Sequence, residues 1–182
     1  MAYTEVTLEE ASEVIKKAGY KNLVTIEKLD GGWANSNYKL VLKNNTKLVL
    51  KIWNEQDEDQ VNYLLKITSY LAKSGVPTPS PIVFDNGSYL IMRDGLPWTI
   101  LPFVEGSWLK SDYESLFSLA KIQAEMHLIT PPINLKSNFS MGISLFEKLF
   151  NIANENNEWT DFLLLLKSSR SLYHNIENLP RG

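Results

Sequence analysis

Three short apolar runs, separated by two turns and with a glycine pair in the first turn, constrain most tightly what this chain can fold into. Val24 to Leu29 alternates in part, as a half-buried strand does, and Tyr38 to Leu42 and Lys47 to Trp53 follow the same pattern. Asn44-Asn45 reads as a two-residue hairpin turn, because Asn tolerates positive φ. The first turn is Gly31-Gly32-Trp33-Ala34-Asn35-Ser36-Asn37. Adjacent glycines let backbone approach a ligand closely and aim N–H groups at it. Ala34, Asn35, Ser36 and Asn37 add little bulk and several donors. Lys51, flanked by Leu50 and Ile52, lies two strands along, where its ammonium could reach the same space. The pattern suits a phosphate site. On spacing alone, a plain glycine turn beside a solvent-facing lysine fits it equally well.

Around this block the chain reads as strands, then helices. Thr7 and Glu10 form a capping box, Leu8, Ala11, Val14, Ile15 and Ala18 share one helical face, and Gly19 stops the helix. A second helix is expected from Glu55 to Ser74, with an acidic start at Asp57-Glu58-Asp59 and a buried stripe of Val61, Leu64, Leu65, Thr68, Leu71 and Ala72. Three prolines keep the segment from Val76 to Pro81 extended. Strands are expected at Ile82–Phe84, Tyr89–Met92 and Trp98–Phe103. From Glu105 the periodicity is helical. Ser111 with Glu114 caps a helix running to Ile129, Ser144 to Phe150 begins another, and Thr160 or Asp161 caps the last, which runs to about Ile176. The boundary between the two parts is placed near Gly106.

Composition excludes several classes. The 182 residues have 44% apolar content, enough to bury a core. A net charge of -3 with no basic block argues against nucleic acid as the main partner. With no cysteine, no disulfide or thiolate metal site can form, and two isolated histidines give no metal site. The run Phe162–Leu166 is too short to cross a bilayer, so no membrane is expected, and the N-terminus is not of secretory type. The expected location is cytoplasmic.

Four stretches in order are similar to one family: Gly31 to Tyr38 followed by Leu48-Val49-Leu50-Lys51, then Leu71 to Pro79, Ile100 to Gly106, and Leu119 to His127. Together they resemble the aminoglycoside phosphotransferase and homoserine kinase family, whose members phosphorylate small molecules on a protein-kinase-like fold. The resemblance implies an α+β architecture: a kinase-like N-lobe over residues 1–105, then the first helices of a C-lobe over 106–182. It implies that Gly31, Gly32, Ala34, Asn35, Ser36 and Asn37 cover the phosphates of ATP and that Lys51 pairs with them. A glutamate on the following helix ordinarily orients this lysine. The candidates here are Glu58 and Gln60, which also read as solvated groups at a helix start. Leu101 to Gly106 is similar to the family's hinge. Leu101 would line the adenine pocket, the Pro102 carbonyl would accept from the adenine amino group, and the Val104 N–H would donate to the ring. His127 matches a family histidine of structural character, and His174 matches no motif.

The family's catalytic residues come as His-Gly-Asp with a later Asn, then a further Asp. No aspartate in these 182 residues has that setting. Asp30 with Asn35 and Asp57 with Asn62 have the interval without the preceding histidine. Leu179-Pro180 resembles the segment that precedes the catalytic loop, so the chain is expected to stop short of it, as a truncated kinase would. No catalytic or metal-ligating residue is therefore assigned. ATP is the expected cofactor, with Mg2+ only if the missing segment is supplied, and a small-molecule hydroxyl is the expected acceptor. The alternative is a truncated or split-gene nucleotide-binding or protein-interaction module, pairing with itself or with a complementary C-terminal polypeptide.

Overall fold

The computed structural model describes residues 3–30, 34–130 and 151–152. The chain divides into two compact units, residues 1–130 and 131–182, and in the second only Asn151 and Ile152, both helical, are described. The helices expected from Ser144 and from Thr160 or Asp161, and His174, lie outside the described residues.

Helix α1 (Leu8–Lys17) opens on the capping box of Thr7 and Glu10. It closes in a Schellman turn: Tyr20 N–H donates to Ile15 C=O at 2.9 Å and Gly19 N–H to Lys16 C=O at 3.0 Å, with Gly19 at φ 81°. Ala11, Val14 and Ile15 are buried, while Leu8, expected on the same face, is exposed in the first turn. Strands β1 (Leu23–Lys28), β2 (Asn35–Leu42), β3 (Lys47–Trp53), β4 (Ile91–Arg93) and β5 (Leu96–Pro102) form an antiparallel sheet in the order β1-β2-β3-β5-β4.

Several expectations need correction. β2 begins at Asn35, three residues earlier than the side-chain pattern indicated, because Asn35, Ser36 and Asn37 pair with Trp53, Ile52 and Lys51. Ladder pairing outweighs the low strand preference of Asn. The β2–β3 turn is longer than two residues: Asn45 N–H donates to Leu42 C=O, Leu42 N–H to Thr46 C=O, and only Asn45 takes a positive φ, 62°. Ile82–Phe84 is not a strand, nor are Tyr89 and Leu90. Ile82 N–H reaches Ile100 C=O and Phe84 N–H reaches Ser88 C=O, two single bonds that build no ladder. Helix α2 (Glu58–Lys73) is shorter than expected, capped by Asp57 with Gln60 at its N-terminus. Its buried stripe is Val61, Leu65 and Ser69, and Leu64 faces out. Helix α3 (Tyr113–His127) is capped by Asp112, whose carboxylate accepts from Ser115 N–H at 2.8 Å, rather than by Ser111. It buries no residue.

The sheet separates two cores. On one face Tyr38, Leu40, Leu42, Leu48, Leu50, Ile52, Trp98 and Ile100 pack with Ala11, Val14 and Ile15 of α1 and with Phe84. On the other, Trp53 packs with Val61 and Leu65 of α2 and with Leu90. Strand alternation fixes this division: even-numbered residues of β2 and β3 point to α1, and odd-numbered ones to the second face.

Candidate functional site

The second face carries the polar residues singled out in the sequence. Register places Asn37 of β2, Lys51 of β3 and Thr99 of β5 in one row across the sheet, and Lys39, Val49 and Leu101 in the next. Asn35 stands opposite Trp53, one step closer to α2. Lys51 is half-buried, and burial holds its ammonium pKa below the ordinary lysine value. Its Nζ lies 3.7 Å from the centroid of the Trp53 ring. Trp53 Nε1–H donates to Thr99 Oγ1 at 3.2 Å, and both side chains are buried. Among the described residues no carboxylate lies within salt-bridge distance of Lys51.

The two lysine-partner candidates are placed elsewhere. Glu58 is exposed in the first turn of α2. The Gln60 side chain accepts from Asp57 N–H at 3.2 Å, and Asp57 accepts from Gln60 N–H at 2.8 Å. Gln60 thus serves the α2 cap. The residues that α2 turns inward are Val61, Leu65 and Ser69, and none of them can pair with an ammonium as a carboxylate would.

At the root of the glycine turn, Leu29 N–H donates to Asn37 C=O at 2.9 Å. The Tyr3 hydroxyl donates to the same carbonyl at 2.6 Å and accepts from Asn37 N–H at 2.9 Å. Tyr38 OH donates to Thr4 C=O at 2.8 Å. Burial pushes the Tyr38 phenol up to about 12 and raises that of Tyr3 as well. Ser36 is fully buried on the α1 face, away from the Lys51 row. Its Oγ accepts from Thr4 N–H at 2.8 Å and from Asn54 Nδ2–H at 2.9 Å. Ala34 flanks the turn, and Gly31, Gly32 and Trp33 lie outside the described residues. Asn35 Oδ1 is buried with no hydrogen-bond partner among the described residues.

The expected hinge leaves the sheet at the end of β5. Leu101 faces the Lys51 side, beside Val49, whereas Pro102 pairs with Leu48 toward the α1 side. Phe103 N–H donates to Lys47 C=O at 3.1 Å, and Lys39 Nζ lies 5.1 Å from the Phe103 ring centroid. Lys47 pairs with Glu105 and holds that carboxyl below its ordinary pKa. Val104 is exposed. Lys51, Asn37, Asn35 and Leu101 therefore share one face, and Ser36 and Pro102 point to the other.

Trp53, Thr99 and Tyr3 complete this geometry without having been singled out in the sequence. Trp53 was within reach, since a residue two along a strand from Lys51 shares its face. Thr99 required the β3–β5 register, and Tyr3 required the path of the N-terminal segment. Among the described residues, no group of three or more acidic or histidine side chains could hold a metal ion. No described helix is long and apolar enough to cross a membrane.

Comparison with known proteins gives a consistent picture. Residues 25–174 match the family model described as "Phosphotransferase enzyme family". The chain is 23% identical over 155 residues to a homoserine kinase of Agrobacterium fabrum, covering 84% of this chain and 48% of that protein. It is 24% identical over 152 residues to one of Nitrobacter hamburgensis, covering 83% of this chain and 47% of that protein. The chain thus spans about half the length of the curated relatives it matches. Among solved structures, spectinomycin phosphotransferase APH(9)-Ia in complex with ADP and spectinomycin matches with a TM-score of 0.64 at 13% identity, covering 94% of this chain and 56% of that one. The amicoumacin kinase hAmiN, in complex with AMP-PNP, Ca2+ and Ami, matches with a TM-score of 0.57 at 13% identity, covering 93% and 54%.

Proposed function

The chain belongs to the phosphotransferase enzyme family, and from that premise we propose that it carries the nucleotide-binding half of an ATP-dependent kinase acting on a small-molecule hydroxyl. Its sheet and helices are those of a protein-kinase-like N-lobe, which we extend over residues 1–105, with 106–182 beginning a C-lobe. One observation carries the reading. Lys51 stands half-buried in the row Asn37–Lys51–Thr99, on the sheet face that α1 does not cover. A partly desolvated ammonium with no carboxylate partner among the described residues is a strong site for a nucleotide's phosphates. Backbone N–H groups of residues 31–35 would add donors, and Leu101, Pro102 and Val104 would hold the adenine. These residues bind and orient the nucleotide. The base that accepts the hydroxyl proton, and the ligands of any Mg2+, would come from sequence beyond these 182 residues.

The test is calorimetric titration of ATP with magnesium into the chain, beside Lys51→Ala. Saturable binding that is lost or much weakened in the variant is expected, and equal binding by both proteins would overturn the assignment of Lys51. The 182-residue chain alone is expected to show no phosphoryl transfer above the Lys51→Ala control, with homoserine or an aminoglycoside as acceptor.

A second reading is favoured by the surface around α3. Trp108 is 98% exposed and Tyr113 79%, and Phe117, Leu116 and Leu109 are also exposed. Such a patch suits self-association or a complementary C-terminal polypeptide. Sedimentation that shows a clean monomer binding no hydrophobic dye would remove it. The expected location is cytoplasmic, with no nucleic acid or membrane partner.

A further inference from the structure

Lys51 poses a physical problem that its neighbours answer in an unusual way. An ammonium taken partly out of water needs a compensating partner. The first turn of α2 puts Glu58 in solvent and commits Gln60 to the cap, and the inward face of α2 is Val61, Leu65 and Ser69. What meets the ammonium is the face of Trp53, with Nζ 3.7 Å from the ring centroid. An aromatic ring carries negative charge density over its face and attracts a cation placed there.

The ring is itself held. Trp53 and Lys51 are two residues apart on β3 and share a face, so their side chains emerge side by side. The Trp53 indole leans along the strand toward the Lys51 row. There its Nε1–H donates at 3.2 Å to Oγ1 of Thr99, the β5 residue directly beside Lys51. Thr99 is fully buried and Trp53 nearly so, and Val61 and Leu65 of α2 pack against the indole. The platform is thereby fixed by a hydrogen bond on one side and by helix packing on the other.

We propose that Trp53, braced by Thr99, is the positioning residue that holds the Lys51 ammonium on the nucleotide face of the sheet, in the role that a carboxylate from α2 would otherwise fill. The proposal rests on the reading that Lys51 meets the nucleotide phosphates. Helix α2 then acts through its packing on Trp53, so a shift of α2 reaches the lysine through the indole rather than through an ion pair. An indole orients the ammonium without neutralising its charge, leaving the full positive charge for the phosphates.

Two measurements on the full chain test this. In the NMR spectrum of 13C-labelled protein, the ε-methylene protons of Lys51, assigned by their loss in Lys51→Ala, should lie upfield of those of the other lysines. They should return to the common position in Trp53→Leu and stay partly shifted in Trp53→Phe. In calorimetry with ATP and magnesium, Trp53→Leu should weaken binding by about 5- to 30-fold, and Trp53→Phe should restore most of it. The double variant with Lys51→Ala should bind no more weakly than Lys51→Ala alone, which a purely structural role for Trp53 would not produce. Should Trp53→Leu fail to fold, Thr99→Val keeps the ring and removes its brace, and the Lys51 ε-protons should then move toward the common position. Unshifted Lys51 ε-protons in the folded wild type would overturn the proposal. So would a folded Trp53→Leu, or in its absence Thr99→Val, with unchanged ε-proton position and unchanged nucleotide affinity. Wild-type protein that shows the shift but binds no nucleotide would refute the nucleotide reading and leave the placement of the ammonium by Trp53 standing.

Discussion

The two faces of one sheet use the same strands for opposite ends. Toward α1 the side chains are Leu40, Leu48, Leu50, Ile52, Trp98 and Ile100, all buried and packed to a common core. Toward the second face the same strands present Asn35, Asn37, Lys39, Lys51 and Thr99, and α2 covers only the Trp53 end. The difference lies in alternation alone. A strand must present two faces, so a sheet that seals one side can hold a polar platform on the other at little cost to its own stability. The contrast predicts that substitutions on the first face are read in stability, and those on the second in binding.

The largest effect should follow Leu50→Ala, which removes a fully buried side chain from the α1 face. Leu-to-Ala changes in cores cost about 2–5 kcal/mol, so urea unfolding should show a loss in that range. Val49→Ala, next door on the other face and only half-buried, should lose clearly less. Equal losses would break the comparison.

Alkaline pH should separate the faces by sign. Tyr38 is buried on the α1 face with its phenol pushed up to about 12, against an ordinary value near 10. A raised folded pKa means that stability is complete below the unfolded value and falls as pH rises from about 10 to 12, by about 2–3 kcal/mol at full effect. Tyr38→Phe should flatten that fall. Lys51 works the other way. Its folded pKa is lowered, so the native state is penalised while the lysine is charged, and the penalty is relieved as pH rises through the folded pKa toward the unfolded one. Lys51→Met should therefore remove a rising contribution. Identical pH profiles for wild type and both variants would contradict this assignment.

Ser36→Ala should cost about 1–2 kcal/mol, since it strips a buried acceptor from Thr4 N–H and Asn54. Because Ser36 faces α1, nucleotide affinity measured in the same protein should change little. A loss of affinity with unchanged stability would return Ser36 to the phosphate loop.

The smallest effect should be that of Gln60→Ala, about 0.5–1 kcal/mol of stability through half a capping box. Nucleotide binding should be untouched. Weakened binding at equal stability would instead make Gln60 a partner of Lys51.

Much of this was legible in the residues. The Thr7–Glu10 box, the β3 strand with Lys51 on it, the helix stops at Gly19 and Gly75 and the α+β order are local signals, each set within a few residues. Gly75, at φ 93°, closes α2 much as Gly19 closes α1. Boundaries set by pairing were not legible. Asn35 to Asn37 read as loop from their side chains and became strand because Trp53, Ile52 and Lys51 lay opposite. Ile82–Phe84 reads as strand from its apolar run and is not one, since Ile82 alone donates to a neighbouring strand of the sheet.

What the sequence by itself determined is which residues could share a face. Period two along β3 places Lys51 with Trp53 and sets both against Leu50 and Ile52, whatever the rest of the fold. What only the tertiary structure decided is what each face meets. Thr99 came beside Lys51 through the β3–β5 register, across 48 positions of chain. Ser36 turned to the Thr4 backbone, and α2 offered Val61 and Leu65 where a carboxylate was sought. Local geometry is fixed by dihedral preferances within a few bonds, whereas the partner of a side chain is chosen by packing among segments far apart in the chain, where no single stretch of sequence holds the information.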